Sequence, residues 1–458
     1  MHVMQVVQAY RYALDPTPGQ ARALAAHCGA ARVAFNWALA AVKANLGQRA
    51  AERSYGIPDA LLTPALPWSM YALRKAWNQV KDDVAPWWRE CSKEAFATGL
   101  ERLTAALKNW RDSRTGKRQG RRMEFPTFRS KHKSAASVRF TTGAIRLDGP
   151  RQVVLPRLGR IKTCESTRKL ARQLRSGAAT IASATVRQQA GRWFVSFSVR
   201  LQRPRMSPAR PEAVVGVDLG VATLAVFSDD RPPVANPRHL AGALRKLRRL
   251  SRRVSRRAGP DRRTSRRPSR RWRRADAARA RAQNRVAALR RDTLHKLTTG
   301  LAHSYGTIVV EDLHVAGMAR NRRLARAIHD AGFGEIRRQL GYKTMWNGGR
   351  LIMAGRWYPS SKTCSGCGAV KAKLPLSART FTCETCGLVI DRDRNAALNL
   401  ASLARQVAGS GPETLNGRGA DRKTPPGGAG GRETSTPHRA TGQDGDLHPA
   451  MGESLKIP

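Results

Sequence analysis

Apolar and polar residues alternate over residues 5–14 (QVVQAYRYAL), and this two-residue period predicts a β-strand. After a turn at PTPGQ, apolar residues recur at helical spacing over 21–47, which predicts several helices. Helical spacing returns between about 51 and 115, in segments rich in tryptophan. Short alternating strands separated by Gly and Pro follow. This order predicts a β-barrel-like module that the N-terminal strand completes and a helical insert interrupts.

A proline-rich stretch at about 204–213 marks a domain boundary. Beyond it, VVGVDLG and VATLAVFSDD predict two buried strands of a hairpin, and TIVVEDL predicts a third strand. Residues 330–347 have a helical pattern, and RLIMAGRW predicts a strand leading into two cysteine pairs. The tail over 409–458 is rich in Gly, Pro, Ser and Thr and has no aromatic residue, so we predict that it is disordered.

The charge of the chain is far from balanced. Its 458 residues include 84 Lys and Arg against 32 Asp and Glu, a formal net charge of +52. Residues 245–274 alone contain sixteen Lys or Arg and one acid, and a helical pattern resumes around 275–303. Such a balance predicts a nucleic-acid partner rather than a membrane surface, since no lipid anchor, signal peptide or membrane-spanning run is found. We therefore expect a cytoplasmic protein.

Four of the seven cysteines form two CxxCG pairs separated by fifteen residues, and the other three are scattered. Two such pairs can close a tetrahedral Cys₄ zinc site, and a closed shell of thiolates indicates a structural ion rather than a catalytic one. The alternative is that these cysteines are merely buried. The predicted zinc ligands are Cys364, Cys367, Cys383 and Cys386.

Two acids follow buried strands. Asp218 ends the apolar run AVVGVDLG, and Glu311 ends TIVVE. Burying a carboxylate is unfavourable unless it is paired or holds a metal ion. Asp312, next to Glu311, points to the opposite face by strand alternation. Taken alone, Asp218 could equally cap the following turn.

A third acid lies at the start of a helix predicted to begin near Asp391 (DRDRNAALNL). Asp393 shares a helical face with apolar residues four, seven and eleven positions later, so it is predicted to face inward. Asp391 is better explained as the helix cap. Arg394 could contact a phosphate or lie on the surface, and no role is assigned to it.

Together Asp218, Glu311 and Asp393 could converge to hold two Mg²⁺ ions for phosphodiester hydrolysis. Oxygen ligands suit Mg²⁺ and sulfur ligands suit Zn²⁺, so the two motifs predict two metals with different tasks. Trp272, within the basic run, could stack on a base, although helix packing is the more ordinary role. The tryptophans between 68 and 110 are predicted to be mostly core residues.

These motifs resemble a known family. GVDLG, VVEDL, WYPSSKTCSGCG, CETCG and DRDRNAALN are similar to the RuvC-type nuclease core and zinc insert of the TnpB proteins, also called OrfB, which insertion sequences encode. The resemblance extends to YALDPTPGQ, FNWAL, PWSMYALRKAWN and FGEIRRQLGYK, and so covers roughly residues 5–405.

The resemblance implies an α/β RNase H-like (RuvC) nuclease domain with a zinc-ribbon insert. It also implies an N-terminal β-barrel wedge domain that carries an α-helical recognition insert. The implied boundaries are 1–50 and 126–205 for the wedge, 51–125 for the recognition insert, 206–360 and 388–408 for the nuclease domain, and 361–387 for the zinc insert.

Members of this family are RNA-guided DNA endonucleases related to type V CRISPR effectors, and older names call them transposases. The resemblance therefore implies a guide RNA transcribed from the transposon end and a double-stranded DNA target beside a short adjacent motif. It implies Asp218, Glu311 and Asp393 as catalytic Mg²⁺ ligands, a prokaryotic cytoplasm near the nucleoid, and a functional partnership with a separate transposase.

Two other interpretations remain open from the sequence. The chain could be a non-cleaving RNA-guided DNA-binding regulator on the same fold. It could also be a zinc-ribbon RNA-binding protein whose acids are structural. The second interpretation predicts that loss of Asp218 lowers stability.

Overall fold

The computed structural model describes residues 3–131, 134–141, 144–204, 206–261, 263–375 and 377–409. Met1–Gln406 forms one compact unit. The second unit, Val407–Pro458, lies almost wholly outside the described residues, and so does the tail predicted to be disordered. No helix in the described ranges is long and apolar enough to cross a membrane.

A seven-stranded sheet occupies the N-terminal half, in the order β2-β6-β7-β1-β5-β4-β3. Strand β1 pairs antiparallel with β7 along nearly its whole length, and its last two residues pair with the end of β5, so the N-terminal strand lies between β7 and β5 in this sheet. Over the residues described here, the order runs from β2 to β3 as an open series. The strands are β1 (Val3–Asp15), β2 (Ser137–Phe140), β3 (Arg146–Leu147), β4 (Gln152–Leu155), β5 (Gly159–Thr163), β6 (Ala179–Gln189) and β7 (Arg192–Pro204).

The helices of this half are α1 (Pro18–Ser54), α2 (Met70–Val84), α3 (Lys93–Arg114) and α4 (Arg168–Arg175). Helices α1 and α3 contact β2, α4 contacts β6, and α2 packs against α1 and α3. The region predicted as several helices after β1 is one continuous helix, α1, begun by a capping box between Thr17 and Gln20. Helix α4, between β5 and β6, was not predicted. Trp77 is buried with its ring against Trp37 and Phe96, which confirms a core role for that tryptophan.

The C-terminal half is built on a five-stranded sheet in the order β10-β9-β8-β11-β12. Strands β8 and β9 form the predicted antiparallel hairpin, while β11 runs parallel to both β8 and β12. The strands are β8 (Arg210–Asp218), β9 (Thr223–Phe227), β10 (Val234–Ala235), β11 (Tyr305–Glu311) and β12 (Arg350–Ala354). A separate hairpin is formed by β13 (Thr380–Thr382) and β14 (Val389–Asp391).

Helices cover both faces of the five-stranded sheet, which is why β11 is apolar and buried along almost its whole length. One face packs against α6, α8 and α9, and the other packs against α10 through Leu400 and Ala404. The helices of this half are α5 (His239–Ser255), α6 (Arg270–Ser304), α7 (Val315–Met318), α8 (Ala325–Ala331), α9 (Phe333–Trp346) and α10 (Arg392–Gly409).

The basic run over 245–274 is divided between α5, a connecting loop and α6. Helix α5 buries Leu247, Leu250 and Val254 and turns its arginines outward. Helix α6 begins at Arg270, five residues earlier than its apolar pattern indicated, because Ser269 caps the Trp272 N–H at 3.0 Å. A Cβ on Gly259 would lie 2.9 Å from Trp272 Nε1, so that indole packs against the loop.

Candidate active site

The ends of two neighbouring parallel strands bring the first two acids together. Val217 of β8 pairs with Val310 of β11, so Asp218 and Glu311 end adjacent strands at the same edge of the sheet. Asp393 is the second residue of α10, which packs over that sheet. Burial raises the pKa of Asp218 to about 8, and the charges of Glu311 and Asp393 contribute to the rise. The structure therefore brings together the three acids singled out in the sequence.

The neighbouring charged residues have other partners. Asp391 caps α10 by accepting a hydrogen bond from the Arg394 N–H at 2.9 Å, as predicted. Asp312 accepts from Arg337 and, at 3.1 Å, from Arg356. Arg394 donates to the Phe227 carbonyl at 2.6 Å and to the Asp229 carbonyl. Arg394 therefore fastens α10 to the end of β9 and is not directed at a substrate phosphate.

Gly216 sets how closely α10 approaches the sheet. A Cβ at this position would lie 2.0 Å from the Ala397 carbonyl oxygen and 2.6 Å from the Ala401 nitrogen. The α10 backbone therefore rests directly on β8, two residues before Asp218 and one helical turn after Asp393. Only glycine permits this approach, so Gly216 sets the distance between α10, which carries Asp393, and β8, which carries Asp218.

We expect Gly216→Ala to lower the free energy of unfolding by about 3 kcal/mol, because the added methyl group must push α10 away from β8. Gly341→Ala, in α9, is the control, since a Cβ there meets nothing within 4 Å. Chemical denaturation of the two variants measures the difference. Equal stabilities for both variants would contradict the close contact.

The three carboxylates are more widely spaced than the ligands of one ion. Over the described residues, the four cysteines are the group whose ligand atoms all lie within 4.8 Å of one another. At their present positions the three acids could not all hold a single Mg²⁺ ion, whose oxygen ligands lie about 2.1 Å from the metal. Glu311 accepts a hydrogen bond from the Ser360 hydroxyl, and Arg379 Nη1 lies 3.9 Å from an Asp393 oxygen.

The cysteine cluster has the geometry of a tetrahedral site. Cys364 Sγ lies 3.6 Å from Cys386 Sγ, and Cys367 Sγ lies 3.6 Å from Cys383 Sγ. Four sulfurs about 2.3 Å from a zinc ion would be about 3.8 Å apart, so the four side chains fit such an ion. Each pair forms a tight turn in which a glycine N–H, from Gly368 or Gly387, returns to the first cysteine carbonyl at 3.0 Å.

Two thiols of the metal-free cluster titrate in opposite directions, since hydrogen bonds with the neighbouring cysteines raise the pKa of Cys386 to about 12. A hydrogen bond from the Cys386 backbone N–H lowers the pKa of Cys383 to about 6, and zinc binds the deprotonated form. Phe381 is completely buried against Cys364 and Cys383, with Leu374, Leu388 and Ile390 around them. This small apolar cluster is too limited to fold by itself, so the metal would supply much of its stability.

A latch of three polar side chains connects the cysteine module to the acids. Asn395 of α10 accepts from the Ser365 N–H at 2.9 Å and donates to the Thr363 carbonyl at 2.7 Å. One turn later, Asn399 donates to the Ser360 carbonyl at 2.7 Å. Ser360 in turn donates to Glu311. We call Ser360, Asn395 and Asn399 the latch.

The latch was not predicted, although the sequence contains a sign of it. Two asparagines four residues apart, on the buried face of a helix, are unusual because asparagine is a poor residue for helix interiors. Both are buried, and both use their amide groups to hold the segment before the first cysteine pair. Their spacing indicates a bound loop, but the identity of that loop depends on the tertiary fold.

Comparison with known proteins decides the family. The chain is 41% identical over 470 aligned residues to a protein of Mycobacterium tuberculosis strain H37Rv named "Putative RNA-guided DNA endonuclease". The alignment covers 98% of this chain and 97% of that protein. The chain belongs to the TnpB (OrfB) family. An Escherichia coli K12 relative of the same description, InsQ, is 29% identical over 91% of this chain and 96% of its own length.

Three family models match separate parts of this TnpB protein. They are a helix-turn-helix domain on residues 4–50, the OrfB "Probable transposase" on 196–322, and the Cas12f1-like TNB domain on 333–400. The first region is a strand and one long helix in this structure. A Cas12f1 complex with guide RNA and target DNA aligns with 87% of this chain and 99% of that chain, at 13% identity and a TM-score of 0.46.

Proposed function

We propose that this TnpB protein is a transposon-encoded, RNA-guided DNA endonuclease that hydrolyses phosphodiesters with Mg²⁺ at Asp218, Glu311 and Asp393. The observation that carries the proposal is the convergence of the three acids at one sheet edge, where two of them raise the pKa of the third. Three carboxylates lie close together in a partly buried site, where their negative charges repel one another. Bound cations would offset that repulsion.

The topology supports an RNase H-like nuclease domain. The order β10-β9-β8-β11-β12, with β8 and β9 antiparallel and β11 and β12 parallel to β8, places the acids on the central pair of strands. Helix α10 adds Asp393 from the face opposite α6 and α9. We propose that the N-terminal seven-stranded sheet forms the wedge barrel and that α2 and α3 form the recognition insert.

Each acid has a distinct setting. The pKa of Asp218 is raised by burial and by the charges of both other acids. Glu311 is held in one rotamer by the Ser360 hydroxyl. Asp393 lies at the N-terminus of α10, where the helix dipole favours a negative charge. Mg²⁺ ions bound here would neutralise the phosphate and activate water.

The partners follow from charge and from the relatives. The exposed faces of α5 and the start of α6 form a basic helical hairpin, which we propose follows a phosphate backbone. Relatives are named for RNA-guided DNA cleavage, so we propose a guide RNA from the transposon end and a duplex target with a short adjacent motif. A supporting role in transposition, beside a separate transposase, completes the proposal.

Cleavage of a target library tests this function. The protein is expressed with the DNA flanking its own gene, purified with the RNA that remains bound, and incubated with Mg²⁺ and plasmids that carry a guide-matched target beside random bases. We expect breaks only beside one enriched motif. Tight RNA and DNA binding without breaks would favour the non-cleaving regulator instead.

A further inference from the structure

Trp357 is the most exposed tryptophan of the chain. Its relative exposure is 90%, whereas the next most exposed of the ten tryptophans, Trp87, reaches 36% and lies against Phe96. The indole is the largest side chain, so an exposed tryptophan loses more of the free energy available from burial than any other exposed residue would. Its exposure sets it apart from the other tryptophans and leaves an aromatic face accessible to a bound partner.

Trp357 lies on the segment that borders the carboxylate cluster. Three residues before it, Ala354 ends β12 in register with Glu311. Three residues after it, Ser360 donates to the Glu311 carboxylate. Three residues of chain span at most about 11 Å, so Trp357 lies within that distance of both Ala354 and Ser360 and borders the site.

The exposure of Trp357 does not come from a loose loop. The Tyr358 N–H donates to the Gly355 carbonyl at 2.9 Å, and the Ser360 N–H donates to the Tyr358 carbonyl at 2.9 Å. The Tyr358 hydroxyl donates to the Asn399 carbonyl at 3.1 Å. Ser360, two residues after Tyr358, is buried. The turn is thus fixed on both sides of Trp357 and presents the indole from a rigid support.

The surroundings select the kind of partner. Arg356 precedes the indole and is half-exposed while it pairs with Asp312, and the half-exposed Arg379 lies near Asp393. An exposed aromatic face next to a basic residue, near acids that would hold Mg²⁺, suits a polyanion with flat rings. A single strand of nucleic acid has both properties, because each base offers a face for stacking.

We propose that Trp357 stacks on a base of the DNA strand that enters the carboxylate cluster and thereby positions the neighbouring phosphodiester. This inference rests on the proposed nuclease function and adds a positioning residue to it. Stacking is tolerant of sequence, so Trp357 would hold any base that the guide exposes without restricting the targets.

The first test is a double-mutant cycle on cleavage. Wild type and Trp357→Ala, each with its bound RNA, cut matched targets in which single nucleotides around the cut are replaced by abasic sites. We expect Trp357→Ala to slow single-turnover cleavage of the intact target about tenfold. One abasic position should slow the wild type by a similar factor and the variant no further.

Two further variants separate stacking from simple bulk. Trp357→Phe keeps an aromatic face and should restore most of the rate, while Trp357→Leu keeps apolar volume without a ring and should behave like alanine. Equal rates for Trp357→Ala and wild type, equal rates for the Phe and Leu variants, or independent effects at every abasic position would each overturn the proposal.

A binding measurement keeps this test separate from the nuclease proposal. A single-stranded DNA oligonucleotide containing 2-aminopurine is titrated with the full chain in Ca²⁺, and its fluorescence reports stacking. We expect quenching by wild type and Trp357→Phe and clearly less by Trp357→Ala and Trp357→Leu. If the wild type never cuts DNA but this pattern holds, the stacking site stands and the nuclease function fails; unchanged quenching in Trp357→Ala overturns the site.

Discussion

Asp218→Asn is expected to abolish cleavage and yet to make the metal-free protein more stable near pH 8. The carboxyl group of Asp218 has a pKa of about 8, mainly because of burial and then because of Glu311 and Asp393. Its ionisation in the folded state is therefore unfavourable. An amide of the same shape removes that penalty, but it is a poor ligand for Mg²⁺.

The direction of the pH dependence follows from proton linkage. An unfolded aspartate has a pKa of about 3.9, so the folded protein binds the additional proton between about pH 4 and the folded value of about 8. The stability associated with Asp218 is complete below pH 4 and is lost as the pH rises through that range. The amide of the Asp218→Asn variant does not titrate and has no such dependence.

Denaturation in EDTA at about pH 8 measures this effect. We expect Asp218→Asn to raise the free energy of unfolding by about 1–3 kcal/mol, less than the full pKa difference implies because the side chain is partly exposed. The gain should disappear at about pH 4. A loss of stability in the variant would support the interpretation in which the acids are structural.

Cys383→Ser is expected to have the second large effect, a loss of zinc followed by a loss of cleavage. Structural zinc contributes on the order of 10 kcal/mol to a module that has little core of its own. Without the ion, Phe381 and the two CxxCG turns lose their common support. The disturbance then reaches the acids through the latch, because Asn395 and Asn399 hold the segment from Ser360 to Ser365.

Zinc content and Mg²⁺-dependent cleavage measure this prediction on the same preparations. Cys164→Ser is the matched control, since Cys164 is exposed and lies outside the cluster. We expect about one zinc ion per chain in the wild type and in the control, and clearly less in Cys383→Ser. Normal zinc content and normal cleavage in Cys383→Ser would show that the four cysteines hold no structural zinc ion.

Local patterns predicted those features that depend on neighbouring residues. The helical period placed Asp393 on the same face as Ala397 and Leu400, and both apolar residues are fully buried against the sheet. The same reasoning made Asp391 the cap of α10. Strand alternation predicted that Asp312 and Glu311 point to opposite faces of the sheet. In the structure Asp312 pairs with Arg337 and Arg356 and does not belong to the carboxylate cluster.

Features that depend on distant pairings could not be obtained in this way. The register of β8 against β11 decides that Asp218 meets Glu311, yet two long helices separate the strands in sequence. Gly216 resembles an ordinary strand residue until α10 is placed on it. In the sequence alone, Trp357 resembles a core residue. It is exposed because the turn that carries it is anchored by the Tyr358 hydroxyl to the Asn399 carbonyl, a contact that depends on the tertiary fold.

The decisive measurement is the single-turnover cleavage rate of Glu311→Gln beside that of Asp312→Asn, each with its bound RNA, a matched target and Mg²⁺. The two residues are adjacent and lose the same charge, but only Glu311 belongs to the carboxylate cluster, while Asp312 pairs with Arg337 and Arg356. We predict a loss of about 10³-fold or more for Glu311→Gln and a change within a few-fold for Asp312→Asn. Equal rates for Glu311→Gln and wild type would contradict the assignment of the active site.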